Sequence, residues 1–149
     1  MSTSMYSTFR TDDELERKGI VIEYDSFRVT IARAGGSNKA FERALEAKSR
    51  PFRRAIQAET FGRDRMNALV RETFVETCVR NWEVNTGTEA APNWQQGIEA
   101  EDGSLLPFNR DNVLATFIAL PDLYNDLQEQ ASKVSLFRAE VREQEAKNS

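Results

Sequence analysis

The chain has no histidine and only one cysteine, Cys78, in 149 residues. Without histidine, neither Ser-His nor Cys-His catalysis can be built, and the commonest metal ligand is missing. One cysteine closes no internal disulfide and, alone, makes no zinc site of the usual kind. No apolar run approaches the ~20 residues needed to cross a bilayer. No N-terminal apolar run follows a basic region, so a secretion signal is not expected. These absences lead to the expectation of a non-enzymatic intracellular protein in a reducing compartment, with no cofactor, no metal and no membrane.

The composition is 40% hydrophobic and 30% charged, which fits a helical protein with a thin core or one that buries more surface with a partner. The net charge of −4 is too mild to define a ligand class, and no nucleic-acid partner is expected from it. The charge is uneven: residues 1–60 carry a net of +2 and residues 61–149 a net of −6. Attraction between the halves, within a chain or between subunits, is one consequence; ordinary solvated faces are the simpler one.

The expected fold class is α+β and predominantly helical, with a small N-terminal β-hairpin and a second short hairpin packed on about five helices. Residues 1–10 are read as a flexible tail, 11–143 as a single domain and 144–149 as a frayed C-terminus. Thr11-Asp12-Asp13-Glu14 marks a helix start, because acids favour the positive end of the helix dipole. Ile20, Ile22 and Tyr24 alternate on one strand, and Phe27, Val29 and Ile31 on the next, with Asp25-Ser26 as the loop. Gly35-Gly36-Ser37-Asn38 breaks the strand, and Ser37 or Asn38 is placed to cap the helix containing Phe41, Ala44 and Leu45. Pro51 ends or restarts that helix. Met66, Leu69, Val70, Phe74, Val75, Cys78, Val79 and Trp82 predict a helix over 63–82, followed by a polar connection over 83–93. Buried in that stripe, Cys78 reads as a core residue.

Trp94 to Asn112 holds a short strand, an Asp102-Gly103 turn, a second apolar run and a helix start. Asn109 is a good N-cap, and Phe108 can staple onto Val113. Val113, Leu114, Phe117 and Ile118 give the next helix its apolar side, and Pro121 opens another. Leu123, Leu127, Ala131, Val134, Phe137 and Val141 then recur at helical spacing. That stripe either closes the core or docks another protein's helix.

The remaining local signals are weak. Gly35-Gly36-Ser37-Asn38-Lys39 lacks the phosphate-loop spacing and reads as a turn plus a cap. Glu99, Glu101 and Asp102 cannot form a calcium loop, because the twelfth position from Glu99 is Arg110. Lys48, Arg50, Arg53 and Arg54, with Phe52 among them, form a basic patch that could meet phosphates or an acidic partner.

The chain resembles the phage tail assembly chaperones, small proteins associated with the tape measure protein of long-tailed phages. The resemblance lies in Tyr24-Asp25-x-Phe27-Arg28-Val29-Thr30-Ile31-Ala32-Arg33-Ala34-Gly35-Gly36 and Asn38-Lys39-x-Phe41. It continues in Trp94-x-x-Gly97-Ile98-Glu99-x-x-Asp102-Gly103 with Pro107-Phe108-Asn109, and in Leu120-Pro121-Asp122-Leu123-Tyr124 with Phe137-Arg138. These motifs cover most of residues 20–138. The resemblance implies a protein that keeps the tape measure protein soluble and recruits tail tube protein in the host cytoplasm, then leaves before the virion matures. It also implies a mostly helical fold and possible self-association. The hairpin of residues 20–34 is more β structure than helical members carry. The expected contact residues are Phe117, Leu123, Leu127, Val134 and Phe137. Trp94, Gly97, Ile98, Asp102, Gly103, Pro107, Phe108 and Asn109 are expected to be a structural signature. A permanent tail or connector component is the alternative, and a nucleic-acid-binding module a further one.

Overall fold

The computed structural model describes residues 4–138. The fold is α+β, as expected, with a four-stranded antiparallel sheet in the order β1-β2-β3-β4 and a separate two-stranded hairpin, β5-β6. A short helix α1 (Met5–Phe9) precedes α2 (Asp13–Lys18), β1 (Ile20–Glu23) and β2 (Phe27–Ile31). Then come α3 (Lys39–Ser49), a 3-10 turn (Arg50–Phe52), α4 (Arg53–Gln57) and α5 (Arg63–Thr77). The strands β3 (Val79–Asn85), β4 (Trp94–Gln96), β5 (Ile98–Glu99) and β6 (Leu105–Leu106) follow. The chain closes with α6 (Arg110–Ala119), α7 (Pro121–Ala131) and a 3-10 turn (Val134–Phe137). The tail expected over 1–10 includes α1, which exposes Met5, Tyr6 and Phe9. The frayed end expected over 144–149 lies outside the described residues.

Local chemistry sets several boundaries. Asp12 caps α2 by accepting the Leu15 N–H at 3.0 Å. The sheet starts as the expected hairpin, with Ile22 opposite Val29 and Ile20 opposite Ile31. Pro121 ends α6 and opens α7, where its missing N–H and fixed φ cost nothing.

The helix expected over 63–82 stops at Thr77, and strand β3 takes up its last residues and the first three of the connection expected over 83–93. The cause is a β-bulge. Ile31 pairs with Val79 while Thr30 pairs with Asn81, so Arg80 is an extra residue on β3. A bulge shifts the side-chain phase by one. Val79 and Trp82 therefore both point inward, three residues apart, a spacing that imitates a helix.

The last helix is also shorter than expected, ending at Ala131 before the 3-10 turn. Val134 and Phe137 keep the helical-looking spacing because a 3-10 turn repeats every three residues. Asn38 and Ser37 do not cap α3. The Asn38 amide is buried and donates to the Arg33 carbonyl at 2.9 Å and the Thr77 carbonyl at 3.1 Å, tying the loop to the end of α5.

The core lies between one sheet face and α5, α6 and α7. Val29, Ile31, Trp82 and Val84 come from the sheet, and Phe74, Val75, Val113, Phe117, Leu127 and Ala131 from the helices. Aromatic rings run through it: Phe27 stacks on Trp82 at 5.8 Å, Trp82 meets Phe117 at 5.9 Å, and Phe117 meets Tyr124 at 5.3 Å. The hydroxyl of Tyr24 donates to Asp126, joining the first hairpin to α7. The other sheet face is open, carrying Val21, the Arg28–Glu83 pair and the Gln96–Asn81 hydrogen bond.

Candidate functional site

The β5–β6 hairpin stands beside α6, and the two enclose a groove of about 520 Å³. Gly97 makes the arrangement possible. Its φ is +151°, and a Cβ there would lie 2.8 Å from the Leu105 side chain and 2.9 Å from the Leu106 carbonyl. Its N–H donates to the Trp82 carbonyl at 2.9 Å, so the hairpin leaves the main sheet at a fixed point. Ile98 is fully buried and roots the hairpin in the core.

The turn closes through Gly103 N–H to the Ala100 carbonyl at 2.9 Å. Asp102 accepts the Ser104 hydroxyl at 2.6 Å and its N–H at 2.9 Å, and these bonds hold its carboxyl below the usual range. Asn109 caps α6 by accepting the Asn112 N–H at 2.8 Å. The Asn112 amide in turn donates to the Pro107 carbonyl at 2.8 Å. Phe108 packs half-buried against the core, beside Val113.

The groove wall on α6 is small: Ala115, Thr116 and Ala119, leading to Leu120 at the α6–α7 corner. Leu106 forms the hairpin side, and the exposed acids Glu99 and Glu101 stand at its edge. Ile118 and Leu120 are 58% and 54% exposed on the same corner. Leu120 also borders a recess of about 120 Å³ that reaches Phe27, Trp82 and Leu123. Small residues one turn apart let another backbone approach closely, and apolar neighbours favour covering the site.

Three of the five expected contact residues are buried. Phe117 is 1% exposed, and Leu127 and Phe137 are fully buried, so these three side chains close the core. Leu123 is half-buried at the small recess beside the groove, and Val134 lies in the final 3-10 turn. Adjacent residues explain the difference on α6. Phe117 and Ile118 cannot both face the sheet, since neighbours on a helix are about 100° apart. Ala115, Ala119 and Leu120 were missed because only their position beside the hairpin marks them.

Trp94 is on the open sheet face, with the Arg28 guanidinium 4.1 Å from its ring centroid; the core tryptophan is Trp82. The basic patch is partly committed, with Lys48 paired to Glu76 at 3.0 Å and Arg50 to Glu46 at 3.1 Å. Glu76 also takes Arg110 at 2.8 Å. Burial alone would push the Glu76 carboxyl up, but hydrogen bonds from Lys48 and Arg110 outweigh it and hold it below its usual range. Cys78 is buried, and burial pushes its thiol up to about 11. At pH 8 the native thiol should resist alkylation and react only on unfolding. Labelling as fast as a free peptide thiol would contradict that position.

Among the described residues, no cluster of acids and cysteine is arranged to hold a metal ion, and no helix is long and apolar enough to cross a membrane. The fold and groove together define a small α+β scaffold with an open groove beside its second hairpin. The chain belongs to the YdaY prophage protein family, whose model matches residues 36–148. It is a phage-derived protein, and the matched span takes in α3 through α7 with the whole of the groove. No match was found among curated proteins, and none among solved structures.

Proposed function

We propose that this protein is a phage tail assembly chaperone that holds an apolar helical segment of the tape measure protein in the β5–β6/α6 groove. The reading is supported by the ordered motifs of residues 20–138 and by the prophage family of the chain. The observation that carries it is the groove: small residues on α6, Leu106 on the hairpin and exposed Leu120 at the corner. A helix laid in such a groove buries its apolar face while its polar face stays wet. Glu99 and Glu101 at the edge favour a client segment with a Lys or Arg beside its apolar stretch. Binding of this kind needs no reactive centre and no cofactor.

Co-expression with the tape measure protein tests the reading. The wild-type chain should raise soluble client and co-purify with it. Ala119→Arg should leave the thermal midpoint within a few degrees and abolish both effects, since Ala119 is exposed. A client equally insoluble with and without the chain would defeat the proposal. Virions carrying many copies of the protein would favour a permanent tail component instead.

A further inference from the structure

A second recess borders α6 at Phe117 and Ile118, residues that do not line the groove. It is a space of about 250 Å³ between α5 and α7. Its polar side is Asn67 and Arg71, one turn apart on α5, facing Tyr124, Asn125 and Gln128 on α7. Its apolar side includes Val70, Ile118 and Pro121.

No residue lining this recess is acidic, so its formal charge is that of Arg71 alone. Arg71 has no ion-pair partner among the described residues. An unpaired guanidinium in a recess without acids attracts an anion. A carboxylate suits it best, because its two oxygens match the guanidinium fork. The surrounding amides and the Tyr124 hydroxyl can donate to the same anion. The apolar side suits a stem of methylene groups.

We propose that this recess binds a glutamate side chain of a partner protein, with its carboxylate on Arg71 and its methylenes against Val70 and Pro121. The inference goes beyond the tail-chaperone reading and does not depend on it. If both hold, a basic-preferring edge and an acid-binding recess flank the Ile118–Leu120 ridge, and a bound segment has a defined direction.

The test is a titration of the full ¹⁵N-labelled chain with N-acetyl-glutamate methylamide, following the Arg71 Nε–Hε signal. N-acetyl-glutamine methylamide and matched sodium chloride are the controls. A saturating shift is expected with the glutamate probe alone. Gln128→Glu places a carboxylate in the recess, so affinity there should fall at least about tenfold, read at the Asn67 and Asn125 side-chain amides, while the fold persists. Arg71→Met should give the same loss. No shift of the Arg71 signal, an equal response to the glutamine probe or salt, or undiminished binding by Gln128→Glu would each overturn the proposal.

Discussion

Replacing Glu16 with alanine is expected to destabilise the fold by about 3–5 kcal/mol, the cost of stranding one partner of a buried ion pair. Glu16 is 1% exposed, yet it is a carboxylate on a six-residue helix at the edge of the sheet. Its Oε2 accepts Arg33 Nη1 at 3.1 Å and the Ser37 backbone N–H at 2.7 Å. The Gly35-Gly36-Ser37 loop is thus an anion cradle filled from within, and Gly36 is the residue that lets the carboxylate in. Gly36 has φ of +56°, and a Cβ there would overlap the Glu16 carboxylate. Gly36→Ala should therefore destabilise in the same direction.

Urea unfolding gives the measurement, with the change read as a shift of midpoint at constant slope. The double variant Glu16→Leu with Arg33→Met decides the cause. Removing both charges should recover most of the loss, because a buried pair is often replaceable by apolar residues of similar volume. A single-variant loss below about 1 kcal/mol would mean that water or another group takes over both donors.

Features governed by neighbours in the chain were legible before the structure. The Asp12 and Asn109 ends, the first hairpin, the Asp102-Gly103 turn and the break at Pro121 all follow from residues within a few positions of one another. Three features were not. β3 was hidden because its bulge at Arg80 gives inward residues a three-residue spacing. Asn38 looked like a cap because a cap is local, whereas its partner, Thr77, is 39 positions away. The small wall of the groove was silent because alanines at 115 and 119 acquire meaning only when the hairpin stands beside them. A periodic stripe such as Leu123–Phe137 says that a face is apolar. It cannot say whether the protein's own sheet or another molecule covers it.

That ambiguity makes Phe117 the most decisive position. Phe117→Ala is expected to destabilise the protein by about 3–5 kcal/mol, as for other fully buried phenylalanines. The ring sits among Phe74 at 6.2 Å, Trp82 at 5.9 Å and Tyr124 at 5.3 Å, so it joins α5, β3 and α7 at one point. Truncation leaves a cavity bounded by three elements that cannot all collapse inward, which puts the cost at the upper end of the range. Trp82 fluorescence, read in a Trp94→Phe background, provides the readout, since it reports the packing of the ring it faces. One residue further and about 100° round the helix, Ile118→Ala should change stability by less than about 0.5 kcal/mol, because its side chain is largely in water. The two variants separate core from surface on a single helix. If Phe117→Ala were neutral for folding but lost client binding, the ring would be a docking residue after all and the groove assignment would move. If Ile118→Ala lost client binding with its stability intact, the exposed α6–α7 corner would be the surface that the partner covers.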